Sequence, residues 1–212
     1  MNLGRIAKIL AFSKDEYKYD KDKWLDYIMV SNGVASVTDK GILVRWRVEA
    51  ANGLYKPSFR GVPAAFHLSP ASADADVFFS FPNLDVVAPP FHAMRPVGEF
   101  DKNTLNSLNE LNTSVLRLER KDYDTPSVVL HGDTAFVNGK PETTIKLPMM
   151  LTSQMLIQSR YLEVAIEILM DYPQVYLWRE VSDNQSWSET RPLIFGYDWS
   201  NCILIMPKKR YY

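Results

Sequence analysis

The sequence predicts an α+β chain in which antiparallel meanders are interrupted by a few short amphipathic helices. Three observations carry that reading. Short runs of β-branched and aromatic residues are separated by Asn-Gly and other glycine turns, the signature of strands joined in sequence order. Apolar residues return with helical spacing in only three places. The two halves also share an order, helix first and meander after, which is a weak internal repeat of about 100 residues.

Leu3, Ile6, Ala7 and Leu10 form the first helical stripe, with Arg5 and Lys8 on the opposite side. The charge-dense stretch 14–23 ends it. Trp24 to Val30 reads as a strand, Ser31-Asn-Gly33 as a tight turn, and Val34 to Val37 as the return strand. Thr38-Asp-Lys-Gly41 turns the chain again into Ile42 to Val48. Residues 56–76 are rich in Pro, Gly, Ala and Ser and fit neither period, and Val77 to Phe81 is strand-like. Phe81 to Pro96 contains Pro82, Pro89, Pro90 and Pro96 and reads as an extended linker, because proline fixes φ and withholds a donor.

Beyond the linker, Asp101 is placed to cap a helix whose Leu105, Leu108 and Leu111 share a face. Ser127 to Leu130, a turn at His131-Gly-Asp133, Thr134 to Val137 and a turn at Asn138-Gly139 repeat the strand pattern, and Thr144 to Leu147 extends it. Ser159 is expected to cap the next helix, with Leu162, Ala165, Ile166 and Leu169 inward and Arg160, Glu163 and Glu167 outward. Val175 to Trp178, Leu193 to Phe195 and Cys202 to Met206 close the chain as strands. The expected division is 1–90 and 91–212, near Pro89 to Pro96.

Composition limits the function. With 212 residues, 46% apolar and 23% charged, the chain can bury a large core. A single cysteine, Cys202, excludes a disulfide scaffold and fits a reducing compartment. The net charge of -1 gives no overall attraction to nucleic acid, so a DNA role needs local placement of charge. No apolar run approaches the length of a membrane span, and the first residues lack a signal-peptide core. These features predict a cytoplasmic protein without a membrane partner.

Motifs for chemistry are missing. The sequence has no glycine-rich phosphate loop, no Gly-x-Ser-x-Gly elbow and no His-Glu-x-x-His pair. His67, His92 and His131 are too scattered for a metal site. Cys202 lies in an apolar strand, where a thiol behaves as a small hydrophobe. Asp22 with Asp26, and Glu163 with Glu167, have the spacing of solvated helix-face carboxylates. The expectation is a protein that is not an enzyme and has no cofactor or metal.

The order of several segments resembles that of DNA sliding clamps of the bacterial polymerase III beta type. Phe81-Pro-Asn-Leu-Asp-Val-Val-Ala-Pro89 is similar to the family's Phe-Pro-Asp-Tyr boundary with its following proline. The helix after Asp101 resembles its Lys-xx-Leu-xx-Ala-Leu helix, and Ile157-Gln-Ser-Arg-Tyr-Leu162 its Phe-Asn-x-x-Tyr-Leu segment. Cys202-Ile-Leu-Ile-Met-Pro207 resembles the terminal Tyr-Val-Val-Met-Pro, and Ser36-Val-Thr-Asp39 through Leu43 the Ala-Thr-Asp-Gly-x-Arg-Leu-Ala of the middle domain. The resemblance covers 81–210 well and the first 50 residues in part. It departs at Lys208-Lys-Arg-Tyr-Tyr212, where the family has Met-Arg-Leu.

What the resemblance implies is a clamp fold of two clamp-type domains, helices on the inner face and antiparallel sheets outside. With about six domains per family ring, it implies a homotrimer. The partners implied are duplex DNA, held without sequence preference, and peptides of a DNA polymerase and its clamp loader. Arg5, Lys8, Lys102 and Arg160 would face DNA. Leu25, Thr38, Leu43, Pro89, Pro192, Leu204, Met206 and Pro207 would line the peptide site. The compact form is similar to phage-type processivity factors, which places the protein with DNA in a bacterial or infected cell. The alternative is a clamp-like module that forms no ring and binds replisome peptides as a decoy or inhibitor.

Overall fold

The computed structural model describes residues 27–39, 41–60, 65–70, 94–117, 126–138, 140–180 and 192–208. The expected first helix, the strand at Val77 to Phe81, and Arg5, Lys8, Leu25, Pro89 and His92 lie outside these residues.

Eleven strands and two helices are described. Nine strands form one antiparallel sheet in the order β5-β4-β1-β2-β3-β11-β10-β9-β6. They are β1 (Ile28–Ser31), β2 (Val34–Thr38), β3 (Ile42–Arg47), β4 (Gly53–Arg60), β5 (Ala65–Pro70), β6 (Met94–Phe100), β9 (Val175–Glu180), β10 (Leu193–Asp198) and β11 (Asn201–Ile205). A long ribbon of β7 (Ser127–Val137) and β8 (Lys140–Gln158) makes the second sheet. Helices α1 (Lys102–Arg117) and α2 (Ser159–Leu169) pack on each other, and α1 also packs on the ribbon. None of the described helices is long and apolar enough to cross a membrane.

Local chemistry explains most elements. Asn32 and Gly33 have φ of 52° and 72°, the left-handed pair that a two-residue hairpin needs to match strand twist. Asp101 caps α1, its Oδ1 accepting from the Thr104 N–H at 2.7 Å, and Leu105, Leu108, Leu111 and Val115 bury one stripe. Asn112 ties the helices together by donating from Nδ2 to the Ser159 carbonyl at 2.9 Å. Val128, Leu130, Ile157, the α2 stripe and one face of the large sheet complete a single core.

Several expectations are corrected. Residues 53–60 and 65–70 form the β4–β5 hairpin instead of an unassigned stretch. Within it Pro57 stands opposite Leu68 of the edge strand β5. The linker ends earlier than Pro96, which lies in the edge strand β6 beside a register shift. The His131-Gly-Asp133 turn is an irregularity within one strand, where Gly132 has a φ of 60°. Strand β8 runs on past Pro148 to Gln158, so the helix-like segment from Ile157 begins as strand. Ser159 is the first helical residue and not the cap; Gln158 holds that position and makes no capping bond. Met206 lies just beyond β11.

Candidate functional site

The site forms where β3, from the first half, pairs with β11, from the end of the second. Four residue pairs set this seam: Ile42 with Ile205, Leu43 with Leu204, Val44 with Ile203 and Arg45 with Cys202. Because side chains alternate along strands, Ile42, Val44, Ile203 and Ile205 enter the core beneath the helices. Leu43 and Leu204 face the other way and cluster with Ile194 and Cys202, flanked by half-buried Met94, Trp178 and Trp199.

Cross-strand registers extend this pair into a row. Thr38 stands opposite Leu43, Leu43 opposite Leu204, Leu204 opposite Ile194, Ile194 opposite Trp178 and Trp178 opposite Pro96. Cys202 lies beside it, its Sγ 3.3 Å from the Trp199 carbonyl, and burial pushes its thiol up to about 12. That thiol is a packing group. The Trp178 ring is fixed by donation from Nε1 to the Gly196 carbonyl at 3.0 Å. The guanidinium of Arg45 lies 4.6 Å from the centre of the Trp199 ring.

The end of the row is built by the β2–β3 turn. Asp39 Oδ1 accepts from the Gly41 and Ile42 N–H groups at 3.0 and 2.9 Å. Gly41 is needed for packing, since a Cβ there would sit 2.5 Å from the ring of Tyr161 in the first turn of α2. The Gly41 carbonyl accepts from the Met206 N–H at 2.8 Å, which lays the end of β11 against the turn. Burial raises the pKa of the Asp39 carboxyl, opposed by the Ile42 and Gly41 N–H groups and the Tyr161 hydroxyl. Arg160 folds onto α2, donating to the Tyr161 hydroxyl at 2.9 Å and to Gln158 Oε1 at 3.1 Å.

Of the expected peptide-site residues, Thr38, Leu43 and Leu204 stand in one row, and Met206 and Pro207 follow β11 directly. Leu43, Leu204 and Pro207 are buried, whereas Met206 and Pro192 are half-buried, the latter just before β10. Of the expected DNA-facing residues, Lys102 is exposed at the start of α1 and Arg160 is half-buried. Sequence reading missed Arg45, Trp199, Ile194 and Trp178. The signal was available for Arg45, which shares the parity of Leu43 and so shares its face. Among the described residues, no group of three or more His, Cys, Asp or Glu side chains is arranged to hold a metal. The row is a packed apolar layer, with Leu43, Ile194, Cys202 and Leu204 buried and half-buried Met94, Trp178 and Trp199 at its rim.

Comparison with solved structures identifies the architecture. The chain superposes on a DnaN sliding clamp from Pseudomonas aeruginosa bound to griselimycin with a TM-score of 0.58, at 12% identity, over 90% of this chain and 59% of that one. A sliding clamp from Caulobacter crescentus gives 0.54 at 13% identity, over 99% and 65%. The Helicobacter pylori beta clamp bound to a DNA ligase peptide gives 0.54 at 12%, over 96% and 62%. This chain has the sliding-clamp fold. It spans about three fifths to two thirds of the length of these clamps. No family model and no curated protein matches the sequence. The clamp fold is therefore recognised through shape and element order at an identity where the side chains of a site are free to differ.

Proposed function

We propose that this protein is a processivity factor, a clamp that encircles duplex DNA and tethers replication proteins through peptides bound at the β3–β11 seam. The observation that carries the reading is the seam itself. Residues from the two halves, Thr38 and Leu43 with Leu204, form one apolar row on the sheet face turned away from the helices. The protein acts by tethering and catalyses no reaction. Two clamp-type domains, 1–90 and 91–212, give three chains to a six-domain ring, closed by a head-to-tail contact. Arg5, Lys8, Lys102 and Arg160 hold phosphates without reading bases. Polymerase and loader peptides occupy Leu25, Thr38, Leu43, Pro89, Pro192, Leu204, Met206 and Pro207.

The test is retention on closed circular DNA, followed by linearisation. A ring stays on the circle and slides off the cut product. Equal release from both substrates overturns encirclement. Sedimentation at micromolar concentration gives the mass independently, and a monomer at all concentrations favours the decoy-like module.

A further inference from the structure

The exposed face of helix α1 has an unusual composition. Asn103, Asn106, Ser107, Asn109 and Ser114 are exposed there beside Lys102 and Glu110, and Thr113 is half-buried. Solvated helix faces are ordinarily built from Lys, Glu, Arg and Gln, which favour the helix more than Asn, Ser or Thr do. Two of the weaker helix formers have a structural task. Asn112 donates to the Ser159 carbonyl at 2.9 Å, and the Ser114 hydroxyl donates to the Leu111 carbonyl at 2.6 Å. Among the described residues, no hydrogen bond uses the side chains of Asn103, Asn106, Ser107 or Asn109.

The charges of the helix layer cancel. Helix α1 has Lys102, Glu110 and Arg117, and α2 has Arg160, Glu163 and Glu167. The Arg160 guanidinium is committed to the Tyr161 hydroxyl and Gln158 Oε1, and all three charged residues of α2 are half-buried. On the processivity reading the helices face DNA, and what α1 offers there is mainly a set of uncharged donors. A carboxamide N–H or a hydroxyl hydrogen-bonds a phosphate oxygen, directly or through water, and displaces no counterion in doing so.

We propose that α1 meets the sugar–phosphate backbone of duplex DNA through uncharged hydrogen bonds, from the amides of Asn103, Asn106 and Asn109 and the hydroxyl of Ser107. The inference rests on the processivity reading and names the chemistry by which this part of the ring touches DNA. Contacts of this kind carry no sequence information, and salt screens them less than it screens ion pairs. They exchange with water one at a time, so a clamp held by them moves along the duplex without breaking an ion pair.

The experiment is an anisotropy titration of a fluorescent duplex with the full-length protein at roughly 50 and 200 mM salt, with protein up to about 200 μM, which covers non-specific DNA affinity. The unaltered protein is compared with Asn103→Ala/Asn106→Ala/Asn109→Ala and with Asn106→Lys/Asn109→Lys. Alanine favours the helix, so the triple variant is expected to keep an unfolding midpoint no lower than that of the unaltered protein. It is expected to bind roughly 5- to 20-fold more weakly at both salts, with an unchanged slope of affinity against salt. The lysine variant is expected to steepen that slope by up to about two units. Equal binding by the triple variant and the unaltered protein overturns the contact, as does a slope that flattens with the alanines. Equal release from circular and linear DNA removes encirclement, and the contact then stands or falls on the titration alone. Absence of duplex binding by the unaltered protein at both salts overturns the proposal whatever the ring test gives.

Discussion

The two faces of the nine-stranded sheet are made by the same strands and differ in what they ask of their residues. Toward the helices, Ile42, Val44, Trp46, Val175, Leu177, Leu193, Phe195, Ile203 and Ile205 are buried in one large core, with Asp39 and Asn112 buried nearby and hydrogen-bonded. On the opposite face, the row from Thr38 to Trp178 is bordered by a charged Arg45 with unpaired donors. The two sides of one backbone layer thus carry clusters of very different size, a large one beneath the helices and a small one on the opposite face.

That separation can be broken most sharply on the core face. Phe195→Ala removes a ring packed edge-on to Phe100 at 5.5 Å between centroids. It is expected to cost about 3–5 kcal/mol in denaturant unfolding. On the other face, Met206→Asp is expected to weaken partner-peptide binding roughly 30-fold or more, read by calorimetry. Its unfolding midpoint and mass should stay unchanged. An equal stability loss in both variants would erase the distinction between the faces.

Gly196 tests the sheet between them. A Cβ there would lie 2.7 Å from the Cys202 Cα, so Gly196→Ala must part β10 from β11. A loss of about 1–3 kcal/mol is expected, with the row distorted as well.

The turn at Asp39 gives a smaller, pH-dependent effect. Its folded pKa lies above the ordinary 3.8, so the folded protein binds this proton more readily than the unfolded chain. Its contribution to stability is greatest below about pH 4 and falls as pH rises through the raised value, levelling off above it. Asp39→Asn keeps an oxygen for the Gly41 and Ile42 N–H groups and should flatten that slope in midpoint-against-pH measurements. An unaltered slope would assign it to other groups.

The smallest effect concerns Cys202, whose burial and thiol pKa of about 12 predict no alkylation of the native protein at pH 8. Complete labelling is expected after unfolding in denaturant, and mass spectrometry distinguishes the two.

Much of the fold was legible because local chemistry and tertiary environment agree. Asn32-Gly33, Asp101 and the α2 stripe announce themselves by backbone preference, capping and period. The β4–β5 hairpin was hidden because Pro57 argues against a strand by local preference, whereas its pairing opposite Leu68 is a cross-strand register without a local pattern. Ser159 misled for a related reason. A serine before an apolar stripe reads as a cap, yet it is buried with its N–H donating to the Pro126 carbonyl at 2.9 Å, an arrangement set by a distant loop. For the site, parity placed Leu43 and Leu204 on faces, but only the pairing of β3 with β11 could put them side by side. Such long-range registers have no local signature.

The same pairing has a consequence for how the protein is made. The Arg47 N–H reaches Asn201 Oδ1 across 154 residues of sequence. At a synthesis rate of 5–20 residues per second, β3 emerges roughly 8–30 s before its partner strand exists. During that interval its backbone donors and acceptors form an open edge, with Ile42, Leu43, Val44 and Trp46 alongside. Such an edge is a template for pairing with any strand that arrives first, including one from a neighbouring nascent chain. Completion of the sheet is therefore a late event, and ribosomes crowded on one message present the greatest hazard of mispairing.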